Sequence, residues 1–242
     1  MRPRPDGPPC RNRVRVIAAT LWARPALLLG LALLGAAWIG PLPGLAARSF
    51  TAHMVLHVAV VAVAAPLLAL GLAGSRLDPA RIAPRLTAPV PATVLDLVVV
   101  WGWHAPALHL AARHLPGALA WEQGMFLSAG LLVWSSAFGG TPALRAGRAG
   151  SGLLALLLTS MHMTLLGALL AIAPRPLYGH GGAGHGQGGV PGIGSGPGLD
   201  ALADQQLGGV VMLLVGGVSY LAGGLTLLVR LLEGRPAPER RP

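Results

Sequence analysis

The residues with the most chemical content are His53, Met54 and His57, in the run Thr51-Ala52-His53-Met54-Val55-Leu56-His57. An apolar run follows at once over 58–72. On a helix, His53 and His57 stand one turn apart on one face, with Met54 beside His57. Imidazole and thioether are soft, electron-rich ligand types, and hydrocarbon is a costly place to leave an ionisable group unused. The plainer alternative is an interfacial pair bonded to backbone carbonyls or lipid headgroups. Two imidazoles at i, i+4 with a methionine favour the ligand reading.

Other candidates lie far along the chain. His104 sits in Trp103-His104-Ala105-Pro106, which also reads as an aromatic belt with a proline-disrupted turn. Met161-His162-Met163 cannot all face one site, because successive helical residues point about 100° apart. His162 is the better ligand there, with Met163 assisting. Asp204, buried deeper in its helix than the N-cap candidate Asp200, needs a polar partner. The expected metal-ligating set is therefore His53, Met54, His57, His104, His162, Met163 and Asp204. Glu122 serves either such a site or the electrostatics of a helix N-terminus. His180 and His185, in a glycine-rich run, are expected to be solvated.

The elements that must position these groups are membrane helices. Of 242 residues, 53% are apolar and only 11% charged, about half the charged fraction of a soluble domain. Apolar segments cover roughly 25–42, 52–73, 91–112, 118–138, 152–173 and 207–232. They are too long for strands and lack period-two alternation. The fold class is all-α: a polytopic transmembrane bundle of about six helices. Residues 1–24 read as a basic cytoplasmic tail, with 1–15 disordered. Residues 25–232 form the bundle, 174–203 a long outer Gly/His-rich loop, and 233–242 a second cytoplasmic tail. The run 27–39 also resembles a signal-peptide core, but its long polar lead favours a retained helix.

All eighteen basic residues are arginines, and fifteen lie in the two termini and in the second and fourth connections. That bias puts both termini in the cytoplasm and the histidines in the outer half of the bundle. The arginines form no continuous patch with aromatics, so nucleic acid is not an expected partner. The single cysteine, Cys10, allows neither an intrachain disulfide nor a thiolate metal site.

Histidine with methionine suits copper, particularly copper(I). Oxygen ligands for magnesium or calcium are scarce, and structural zinc favours thiolates or several fixed His and Asp groups. A haem held between His57, His104 or His162 is the alternative, without covalent attachment because no Cys-x-x-Cys-His element exists. No nucleotide loop, serine elbow or zincin helix is present, so the expected role is not enzymatic.

These pieces resemble the membrane-integral CtaG family, assembly factors for caa(3)-type cytochrome c oxidase. The matching runs are His53-Met54-Val55-Leu56-His57, Ala65-Pro66-Leu67-Leu68-Ala69-Leu70-Gly71, Trp103-His104-Ala105-Pro106 and Pro176-Leu177-Tyr178. The most specific is Asp204-Gln205-Gln206-Leu207-Gly208-Gly209. At the start of the fourth segment the family pattern carries a histidine after the glutamate, where this chain has Gln123. The resemblance implies a multi-pass protein of a bacterial inner (plasma) membrane. It implies oxidase subunits as partners, copper as the cargo for the haem-copper centre, and a copper donor on the outer side. A copper permease, a b-type cytochrome and a metal-free scaffold are the alternatives.

Overall fold

The computed structural model describes residues 9–178 and 199–233. Ten α-helices make up the described residues, without strands. They are α1 (Pro9–Ile39), α2 (Leu42–Ala46), α3 (Phe50–Val58), α4 (Ala65–Leu72), α5 (Pro79–Ile82), α6 (Pro89–Trp103), α7 (Pro106–His114), α8 (Ala118–Phe138), α9 (Pro142–Ala171) and α10 (Ala201–Glu233). Part of the expected disordered lead is helical, because α1 begins at Pro9. Proline at a first helical position costs no hydrogen bond.

Four helical stretches are long and apolar enough to cross a membrane: Trp22–Ile39, Phe50–Leu72, Arg148–Ala171 and Ala201–Glu233. A fifth span results if α6 and α7, bent by 71° at their junction, count as one. The expected sixth, α8, has a spanning length of 21 residues, but Glu122 and Gln123 lower its hydropathy. The third apolar segment is thus two helices rather than one. Pro106 lacks the N–H that a continuous helix needs and disfavours α geometry at Ala105, which is extended.

α3 and α4 form one span joined by a π-helical turn, Ala59–Ala64. Pro66 accounts for it. Proline offers no N–H to the carbonyls behind it, so Val61 O and Ala62 O are left for side chains of other helices. Trp134 Nε1 donates to Val61 O at 2.9 Å, and Ser219 Oγ donates to Ala62 O at 2.5 Å. The break thus pins α8 and α10 to the centre of this span. Trp134 also stacks on Phe138 and Tyr220.

α10 starts at Ala201, earlier than the apolar run suggests, because Asp200 caps it: Asp200 Oδ1 accepts from Ala203 N at 2.7 Å. Gly208 and Gly209 let α10 approach two helices at once. A Cβ at Gly208 would lie 2.6 Å from Phe50 Cδ1, and one at Gly209 would lie 2.6 Å from Ala171 N. The helix pairings put the starts of α3, α8 and α10 and the ends of α6 and α9 at one end of the bundle. That is the outer end in the arginine-based orientation. At the opposite end the buried Asp78 carboxylate accepts from Gly74 N, Ala80 N and Gly140 N, joining the two loops there.

Candidate functional site

Asp204 builds the outer end. One carboxylate oxygen accepts from Ser49 Oγ at 2.8 Å and Thr51 N at 3.1 Å, and the other from Phe50 N at 2.6 Å. Ser49 in turn caps α3 through Ala52 N. An anion therefore sits on the free N–H groups and positive dipole end of α3. Asp204 is a positioning residue for the helix that carries His53 and His57. Gln205 and Gln206 complete the junction by donating to Leu170 O and Ala173 O.

Four imidazoles lie together below this junction. His53 and His109 have ring centres 4.7 Å apart, and His57 and His104 have centres 5.3 Å apart. All four are at most 5% exposed. α3 supplies His53 and His57, while the break after α6 supplies His104 and α7 supplies His109. Phe126 from α8 closes one side, with its ring centre 4.1 Å from that of His57. Tyr178 covers the mouth: it stacks on Phe50, lies tilted against His109 and donates its hydroxyl to His104 O at 2.7 Å. Burial pushes its phenol pKa up, so it stays a donor.

Partner chemistry assigns the ring protons. His104 Nδ1 stands 2.6 Å from Val100 O. A carbonyl only accepts, so Nδ1 carries hydrogen and Nε2 presents a lone pair. His104 Nε2 is buried and has no hydrogen-bond partner. His53 Nε2 lies 3.2 Å from Glu122 Oε1, a close approach short of an aligned hydrogen bond. The carboxylate favours the proton on that nitrogen and leaves the buried Nδ1 free. Both nitrogens of His57 lack partners. Arg113 Nη1 approaches His109 Nε2 at 3.4 Å. Since a guanidinium only donates, His109 keeps its proton on Nδ1. A carbonyl or carboxylate on the far nitrogen is the usual device for aiming an imidazole at a metal. His104 and His53 have one each.

The separations suit a shared ion, since two imidazoles bound at about 2 Å each have ring centres about 5 Å apart. Among the described residues, however, no three His, Cys, Asp or Glu side chains converge on one metal position in this conformation. Ring rotation would be needed to bring the lone pairs of His53, His57 and His104 together.

The chain belongs to the cytochrome c oxidase caa3 assembly factor family, Caa3_CtaG. The family model matches residues 9–233, nearly the whole chain. No curated protein and no solved structure matches it. Membership in Caa3_CtaG makes this a protein of oxidase assembly, with an oxidase as its partner and several apolar helices in a bilayer.

Of the expected ligand set, the structure brings together His53, His57 and His104. Met54 is buried beside them but packs toward α10, its Cγ facing Gly208. His162 stands elsewhere, its Nε2 3.2 Å from Asp96 Oδ2, with the buried Met163 next to it. Asp204 is engaged by α3. His180 and His185 lie outside the described residues. His109 was not singled out from the sequence, because the rings it packs against lie on other elements; Glu122, for which a site and a helix N-terminus were both open, lies against His53. Gln123, about 100° around α8 from Glu122, lines a 260 Å³ cleft with Trp38, Pro43, Leu56, Leu119 and Ala120.

Proposed function

We propose that this chain binds one copper(I) ion weakly between His53, His57 and His104 and passes it to a cytochrome c oxidase subunit during assembly. The observation behind the reading is a set of buried imidazole lone pairs gathered at one end of an apolar bundle, two of them approached from behind by a carbonyl or a carboxyl oxygen. Neutral imidazoles suit copper(I), which tolerates two or three ligands. Glu122, with Oε1 3.2 Å from His53 Nε2, places a carboxyl group beside the site that can balance the ion's charge by giving up its proton. Donors that must rotate to converge favour an exchangeable ion over a permanent one, which is what delivery requires.

The test is anaerobic copper(I) titration of the purified protein against a competing chelator. One ion per chain is expected at this site. His57→Ala should lower the affinity at least tenfold, and His53→Ala with His57→Ala should abolish this ion. Unchanged affinity in the double variant would refute the assignment. Full oxidase assembly by that variant in cells would favour a metal-free scaffold.

A further inference from the structure

A second group of polar side chains lies deeper, on α9 and on the two helices packed against it, α6 and α10. Asp96 is midway along α6, and Thr159 and His162 are one turn apart on α9. Thr93, one turn before Asp96, donates to Ala155 O at 3.5 Å and so turns this face of α6 onto α9. Tyr220 comes from α10, where Gly223 lies against Leu156 and Gly209 against Ala171, an antiparallel register that levels Tyr220 with Thr159. Its ring lies flat on Trp134, with centres 5.2 Å apart and planes 8° apart, so the hydroxyl cannot swing out to lipid.

Asp96, Thr159 and Tyr220 are at most 3% exposed. Asp96 Oδ1, Thr159 Oγ1, Tyr220 Oη and His162 Nδ1 have no hydrogen-bond partner. Among the described residues, the one polar contact within the group is the 3.2 Å approach of His162 Nε2 to Asp96 Oδ2. Unpartnered polar groups cost a few kcal/mol each in an apolar setting. Ionisable groups inside membrane spans are rare and mark substrate or ion pathways and proton relays.

We propose that Asp96, His162, Thr159 and Tyr220 form a second cation site for a singly charged metal ion of the copper(I) and silver(I) class. Charge decides the valence. Binding a metal requires the carboxylate ionised and the imidazole neutral, so a monovalent ion on Asp96 and His162 leaves the site neutral. A divalent ion would leave a net positive charge in the middle of the bundle. The imidazole selects against alkali ions, which prefer all-oxygen shells. One imidazole with three oxygen donors binds a soft ion weakly, as a stop in transit must. The site extends the copper reading from one position to two but stands on its own residues.

Silver(I), a redox-inert stand-in, is the probe, counted per chain by equilibrium dialysis of the purified full-length protein. The wild type should bind two ions. Asp96→Asn and His162→Gln, two near-isosteric changes, should each bind one, and Tyr220→Phe should keep two with the weaker affinity lowered about tenfold. His53→Ala with His57→Ala should also bind one, retained at the deep site. In nitrogen-15 spectra of histidine-labelled protein, silver should shift His162 in that double variant but not after Asp96→Asn. Equal counts for wild type and both deep variants would overturn the proposal, as would loss of both ions from the outer double variant. One ion in the wild type, lost only with the outer histidines, would leave the deep group a hydrogen-bonding contact alone and the outer site intact.

Discussion

At the scale of single residues, spacing in the sequence found the face of α3 but not what stands behind it. His53 and His57 at i, i+4 share a face by helix geometry alone. Glu122, His109 and Asp96 acquire meaning from partners on other helices, and no local pattern encodes those pairings. Glu122 illustrates the difference. From the sequence it could equally serve a helix start, whereas the structure puts Oε1 3.2 Å from His53 Nε2. Glu122→Gln should therefore lower copper(I) affinity by about 10- to 100-fold while leaving thermal stability nearly unchanged. Chelator competition and a melting curve measure both quantities. Asp204 should behave in the opposite way. Its oxygens accept from Ser49, Phe50 and Thr51, and Asp204→Asn turns an acceptor face partly into a donor. A loss of about 2 kcal/mol in stability is expected, with the copper count preserved below the melting temperature. Loss of copper with unchanged melting would instead make Asp204 a ligand.

At the scale of elements, the helices were legible and their interruptions were only half so. Hydropathy marks the apolar runs, and Pro106 marks the bend that brings His104 and His109 to the cluster. Pro66 gives no comparable signal, because a proline in a membrane helix is tolerated whenever other groups bond the freed carbonyls. Here those groups are Trp134 and Ser219, far along the chain. The paired glycines of the Asp-Gln-Gln-x-Gly-Gly run were visible as a motif, and the structure supplies their reason. A Cβ at Gly209 would meet Ala171 N at 2.6 Å and Gly167 O at 2.7 Å, both backbone atoms that cannot move aside. Gly209→Ala should force α10 away from α9 and cost about 2 kcal/mol. Gly216, in the same helix, has nothing within 4 Å of a would-be Cβ. Gly216→Ala should be neutral or stabilising by up to about 1 kcal/mol. Detergent melting of the two variants side by side separates packing from helix propensity.

At the scale of the whole molecule, the bundle is polarised. The four clustered histidines lie at one end, while Arg76, Arg81, Arg85, Arg148 and Arg230 belong to the other. The arginine count implies that the histidine end faces away from the cytoplasm. The helix pairings supply the rest of that inference, because Asp204, Glu122 and His104 all reach α3 at the same end. Copper would then reach the cluster from outside, past Tyr178, without crossing the bundle. Single cysteines in a Cys10→Ser background test the sidedness directly. Ala47→Cys and Leu115→Cys place thiols at exposed positions of the histidine end, and Leu86→Cys places one at the exposed arginine end. In intact cells a membrane-impermeant maleimide should label the first two and spare the third, which should react only after the membrane is opened. The reverse pattern would put the imidazoles on the cytoplasmic face. Copper would then have to come from the cytosol, and the deep group around Asp96 would become the next station outward instead of inward.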